Sequence, residues 1–174
     1  MTHPVIGWEQ TTPVPDAHQF NHFLHAEHGR LFLVDLDLMH LFEPSAVPPS
    51  PQPSPLEVVY LPLIRQRIAQ MQTIFDEVRA ELGYRGAFHY AYASKANAAE
   101  EVVRTTLAAG AHHEMSSTID VDIARLMVQC GLLKPDRMVL CNGFKPSGSD
   151  YAANLIRFKI EDHANVIPIV EDLA

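Results

Sequence analysis

One lysine stands out by its setting. In the stretch from His89 to Asn97 (HYAYASKAN), Lys95 closes a short run of small and aromatic residues. Strand alternation puts His89, Ala91, Ala93 and Lys95 on one face and Tyr90, Tyr92 and Ser94 on the other. A packed barrel interior would carry Val, Ile or Leu on such a face. Alanines instead leave room beside the amine for a flat ring. An amine among apolar neighbours disfavours its charged form, and a neutral amine attacks aldehydes such as that of pyridoxal phosphate. The plain alternative is a lysine that lays its stem along a strand end and puts its charge in water.

Other residues are weighed in the same way. Glu114 closes a second strand pattern, where the plain reading is an ordinary strand-end acid. Ser117-x-x-Asp120 before an apolar helical run is a capping box with aspartate in place of glutamate. Asn142-Gly143 reads as a tight turn needing positive φ, with Lys145 on a solvated loop behind it. Cys141 reads as a small core residue and Cys130 as a structural residue in a helix's last turn. His18, His22, His25 and His28 are spaced by four, three and three. On a helix they would share a face able to hold a divalent ion; a solvated, pH-sensitive surface is the alternative.

The elements that must position these groups follow a regular rhythm. A helical pattern runs from Leu63 to Leu82 and stops at Gly83. Strand patterns cover Gly86–Ser94, Ala111–Met115, Arg137–Cys141 and Val166–Val170. Helical patterns cover Asn97–Ala109, Ile119–Cys130 and Asp150–Ile160, and another begins at Glu171. Strands alternating with helices imply a parallel sheet, doubly wound or part of a (β/α) barrel. Four strands do not close an eight-stranded barrel, so the expectation is the first half of a (β/α)8 TIM-type barrel over residues 56–174. Before it, residues 1–55 read as an irregular His- and Pro-rich segment, with one short strand pattern from Leu31 to Leu38. From Pro44 to Pro55 there are six prolines in twelve residues, the composition of a linker.

Composition narrows the partners. The chain has 174 residues, 47% hydrophobic, with a net charge of −8. That balance argues against a nucleic-acid backbone as partner. No apolar run reaches the length of a membrane span, and the first ten residues lack a signal-peptide layout. Two cysteines without C-x-x-C spacing fit a reducing cytoplasm.

The segment Tyr92 to Asn97 (YASKAN) resembles the cofactor-lysine motif of fold-type III pyridoxal-phosphate enzymes, the group of alanine racemases and amino-acid decarboxylases. Val139 to Lys145 (VLCNGFK) is similar to a strand-end motif of biosynthetic arginine decarboxylases. His113 to Asp120 is similar to their glutamate-alanine-glycine-serine-lysine segment, and Leu61 to Ile68 to the lead into their first helix. The resemblance spans residues 56–174. It implies pyridoxal phosphate on Lys95, Ala93 beside the cofactor, Glu114 as a carboxylate near the lysine, and Mg²⁺ as a further cofactor. It also implies arginine as substrate, agmatine and carbon dioxide as products, a place in polyamine biosynthesis, and homo-oligomers that complete active sites across subunits. Ser94 stands where the decarboxylases often carry isoleucine or valine, and Met115-Ser116 where alanine-glycine is usual. These departures leave the substrate more open than the cofactor; a racemase-like or cofactor-carrying protein, or a non-catalytic relative, is the alternative. The family's phosphate loop, ring-nitrogen carboxylate and catalytic cysteine have no counterpart in these residues.

Overall fold

The computed structural model describes residues 17–19, 23–43, 55–143 and 148–170. The chain divides into two compact units, with the boundary between Val58 and Val59.

The first unit corrects the expectation of an irregular segment. Strands β1 (Ala17–Gln19), β2 (Leu24–Glu27), β3 (Arg30–Leu33) and β4 (Leu36–Asp37) form an antiparallel meander in chain order. Glu27 pairs with Arg30 across a two-residue turn, His28-Gly29, in which both residues have positive φ. That is the turn geometry that matches strand twist, and His-Gly at the tip permits it. Arg30 then ties the unit together, with Nε 2.5 Å from Asp37 and Nη2 2.7 Å from Glu43. Asp37 also accepts from Met39 N and so starts a 3-10 turn over Leu38–Phe42. Among the described residues no helical histidine face is formed: His18 and His25 lie in strands and His28 in the turn, while His22 is outside the described residues. His25 instead stacks on its cross-strand partner Phe32. The proline linker and the helix expected from Glu171 also lie outside the described residues.

The second unit follows the expected rhythm with shorter strands. It runs α1 (Leu61–Glu81), β5 (Ala91–Ala93), α2 (Glu100–Ala108), β6 (His112–Met115), α3 (Thr118–Gln129), β7 (Val139–Cys141), α4 (Asp150–Glu161) and β8 (Val166–Pro168). All four strands are parallel and adjacent in chain order, β5-β6-β7-β8. Parallel crossovers are right-handed, so an order that never reverses places the crossover helices on one face of the sheet. This is a parallel α/β sheet consistent with part of an α/β barrel.

The core lies between that face and the helices. Val103 and Leu107 of α2, Val121, Ala124 and Met127 of α3, and Tyr151, Leu155 and Phe158 of α4 bury against Met115, Val139, Cys141 and Val166. In β6 burial alternates, with His113 and Met115 inward and His112 and Glu114 on the opposite, more open face. His163 is buried and places its ring nitrogen 2.7 Å from the Arg137 carbonyl, pinning the approach to β7.

His113 itself is 2% exposed, and among the described residues its Nδ1 has no hydrogen-bond partner. Burial holds its pKa below the usual histidine value, against the opposing pull of Asp120 and Glu114. The unfolded chain therefore binds the proton more readily. Stability from this group is complete above about pH 6.5 and is lost as pH falls below it. Denaturant midpoints should drop between pH 7.5 and pH 5, and His113→Leu should flatten that slope. A slope unchanged by the substitution would assign the pH dependence to other groups.

Candidate cofactor-lysine site

The ends of β5, β6 and β7 gather the residues singled out in the sequence. β5 stops at Ala93, earlier than the alternation predicts, because Ser94–Ala96 turn into a 3-10 helix. Ser94 is buried, and its hydroxyl donates to the Glu114 carbonyl at 3.2 Å. That bond pulls the chain out of the strand register. Lys95 therefore lies in a turn at the C-terminal end of the strand and is exposed. The apolar enclosure expected of its alanine neighbours is not formed by the described residues. Tyr92 braces the turn from behind, its hydroxyl donating to the Asn97 carbonyl at 3.0 Å. Its partial burial and nearby Tyr90 raise its pKa, only partly offset by that bond.

Glu114 comes alongside through the sheet. It pairs in register with Ala93 on one side and with Leu140 on the other. Among the described residues no ion pair joins it to Lys95. Its Oε1 instead accepts from Asn142 Nδ2 at 2.8 Å. Asn142 follows β7, and its own backbone is fixed at two points. Its N–H donates to the Met115 carbonyl at 2.8 Å, and its carbonyl accepts from the Tyr151 hydroxyl, also at 2.8 Å. Burial drives the Tyr151 pKa well up, with Cys141, Asp120 and Glu114 adding to the rise, so the hydroxyl keeps its proton and stays a donor. Gly143 has φ +87, and a Cβ there would collide with the Ser116 carbonyl. The tight turn read from Asn-Gly is therefore present. Sequence reading missed the bond between Asn142 and Glu114: the two are 28 positions apart, and only strand register brings them together.

Asp120 is committed to the backbone ahead of α3. Its Oδ2 accepts from Ser116 N, Ser117 N and Ser117 Oγ at 2.8–3.0 Å, and Ser117 caps α3 in return. The capping box is thus formed as expected. Ser117→Ala should cost about 1 kcal/mol in chemical denaturation, and Ser117→Gly only a few tenths. Equal losses would show that the hydroxyl contributes nothing.

Among the described residues no group of three or more His, Cys, Asp or Glu is placed to hold a metal ion. No described helix is long and apolar enough to cross a membrane. Cys141 is buried in the core, as expected, while Cys130 at the end of α3 is exposed.

These features define a parallel α/β sheet with an exposed lysine, a carboxylate and an amide at its strand ends. Among solved structures, the chain is similar to the biosynthetic arginine decarboxylase SpeA from Campylobacter jejuni, at 23% identity and a TM-score of 0.54. The match covers 65% of this chain and 19% of that one, so the chain spans under a fifth of the decarboxylase's length. At this identity the likeness is one of fold. No protein-family model and no curated protein matches the sequence.

Proposed function

We propose that this chain is the lysine-bearing section of a pyridoxal-phosphate-dependent amino-acid decarboxylase. Arginine is the proposed substrate, agmatine and carbon dioxide the products, and polyamine biosynthesis the setting. Residues 56–174 are then the first half of a (β/α)8 barrel, residues 1–55 a separate leading segment, and the working enzyme a homo-oligomer. The observation that carries the reading is the position of Lys95: the turn after the first parallel strand, on the side of the sheet where βα loops form active sites.

Three features of the strand ends fit the cofactor. Lys95 is exposed, Ala91 and Ala93 of the adjoining strand are small, and Glu114 pairs in register with Ala93 one strand away. Lys95 would hold the aldehyde carbon, and Ala93 would lie against the ring. Bound there, the cofactor would supply an electron sink for the pair left as the substrate's carboxylate departs. When substrate displaces it, the Lys95 amine is free to carry a proton at the strand ends. Glu114 would supply the negative charge that keeps a cationic nitrogen there. The phosphate end of the cofactor is assigned to polypeptide outside residues 56–174.

The test is carbon dioxide release by the full-length protein carrying this sequence, supplied with pyridoxal phosphate and L-arginine. The expected result is equimolar agmatine. Turnover of lysine or diaminopimelate but never arginine would overturn the substrate, and racemisation without carbon dioxide would overturn decarboxylation.

A further inference from the structure

At the opposite end of the sheet from Lys95, two histidines have partners that fix where their hydrogens sit. His89 precedes β5, His112 opens β6, and Met138 precedes β7. The Met138 backbone N–H donates to His112 Nδ1 at 3.0 Å. A backbone N–H is a donor only, so Nδ1 is bare and the neutral ring carries its hydrogen on Nε2. His112 Nε2 lies 3.2 Å from His89 Nδ1, so the first donates and the second accepts. The hydrogen of a neutral His89 is then on its own Nε2. The entrances to three strands are thus joined by one directional chain, from amide to ring to ring. In both rings the accepting nitrogen is the one that an added proton must take. Protonation of either ring sets two N–H groups face to face and breaks a link.

We infer that this relay is an acid-sensitive clasp: closed while both rings are neutral, it parts when they are protonated and releases the Met138 amide. The surroundings of His112 favour the closed form. Burial, His89 and Arg137 hold its pKa below the usual histidine value, against the opposing pull of Asp136. Arg137 places Nη1 3.1 Å from the Gly110 carbonyl. On the α1 side, Gln72 and Thr73 line the hollow beside the two rings and carry no charge, and Tyr90 is the other titratable group among the described lining residues. His163 donates from Nε2 to the Arg137 carbonyl, a bond that survives protonation because that nitrogen already carries the hydrogen. His113 lies on the opposite face of the sheet. A ring freed from the clasp takes a proton near the usual value of about 6.5, and a clasped ring takes it less readily. The clasp is therefore complete above about pH 6.5 and is lost as pH falls below it.

Amide hydrogen exchange of the 174-residue chain, followed by NMR at pH 7.5 and pH 5, tests the inference. Each rate is divided into that of an unstructured peptide at the same pH, which gives the protection of the amide. Protection at Met138 should fall about tenfold between the two conditions, and by clearly more than at the buried Met127 of α3. Comparison with Met127 separates opening of the clasp from the loss of stability that His113 brings to the whole unit. His112→Asn supplies an accepting oxygen that does not titrate, so Met138 should fall no further than Met127. His112→Leu removes the acceptor and should leave Met138 poorly protected at both pH values. Nitrogen shifts of the rings at pH 7.5 should place both hydrogens on Nε2. A hydrogen on Nδ1 of either ring, or Met138 protection that changes only as Met127 does in wild type, would overturn the inference. So would an undiminished fall at Met138 in His112→Asn.

Discussion

Lys95→Ala in the full-length protein is expected to lower decarboxylation by at least on the order of 10³-fold, while leaving the fold in place. The side chain is exposed and makes no contact on which the core depends, so its loss should not move the denaturant midpoint by more than about 0.5 kcal/mol. Among the described residues no other amine follows a strand of this sheet to hold an aldehyde. Lys95→Arg should be as inactive, because guanidinium keeps its charge and is no nucleophile. The measurement is turnover beside chemical denaturation. Retained turnover in either variant would take Lys95 out of the chemistry, and a large loss of stability would mean that the residue acts through the fold.

The second large effect lies in the turn behind the site. Gly143→Ala should destabilise the chain by about 2–4 kcal/mol. Two costs add: an L residue is forced into the left-handed region, and its Cβ meets the Ser116 carbonyl, a backbone atom that cannot swing aside. Gly131 separates the two. It has φ +72 with nothing within 4 Å of a built Cβ, so Gly131→Ala should cost only the conformational part, roughly 1–2 kcal/mol. Equal costs at the two positions would show that the approach to Ser116 is relieved by a small shift. Because Gly143 adjoins Asn142, its replacement should also disturb the hold on Glu114.

The two halves of the chain were unequally legible. In the second unit helices announce themselves, through Gly83 and Gly131 after the apolar runs and through Ser117 before α3 with Asp120 in its first turn, because caps and helical periodicity are local. The parallel order follows from the alternation of strands and helices. The first unit was read as irregular because its strands are two to four residues long, too short for alternation to show among histidines. What makes that segment a sheet is a turn residue pair, His28-Gly29, and an arginine that reaches Asp37 and Glu43.

The site shows the same division. Lys95 was singled out from type and place in the chain, Ala93 and Glu114 through the resemblance, and β5 and β6 bring Ala93 and Glu114 into register. The face of Lys95 was misjudged because Ser94, which alternation treats as one more strand residue, bonds across to β6 and ends the strand. The bond from Asn142 to Glu114 was invisible for a different reason. A hydrogen bond across 28 positions leaves no periodicity or spacing behind it.

The most direct test adds pyridoxal phosphate to the wild-type chain, fixes any attached cofactor with borohydride, and maps the modified peptide by mass. One label, on the peptide carrying Lys95 and absent from those carrying Lys134 and Lys159, is the predicted result. Labelling spread evenly over the lysines, or none at all, would contradict the assignment of this amine as the cofactor's anchor.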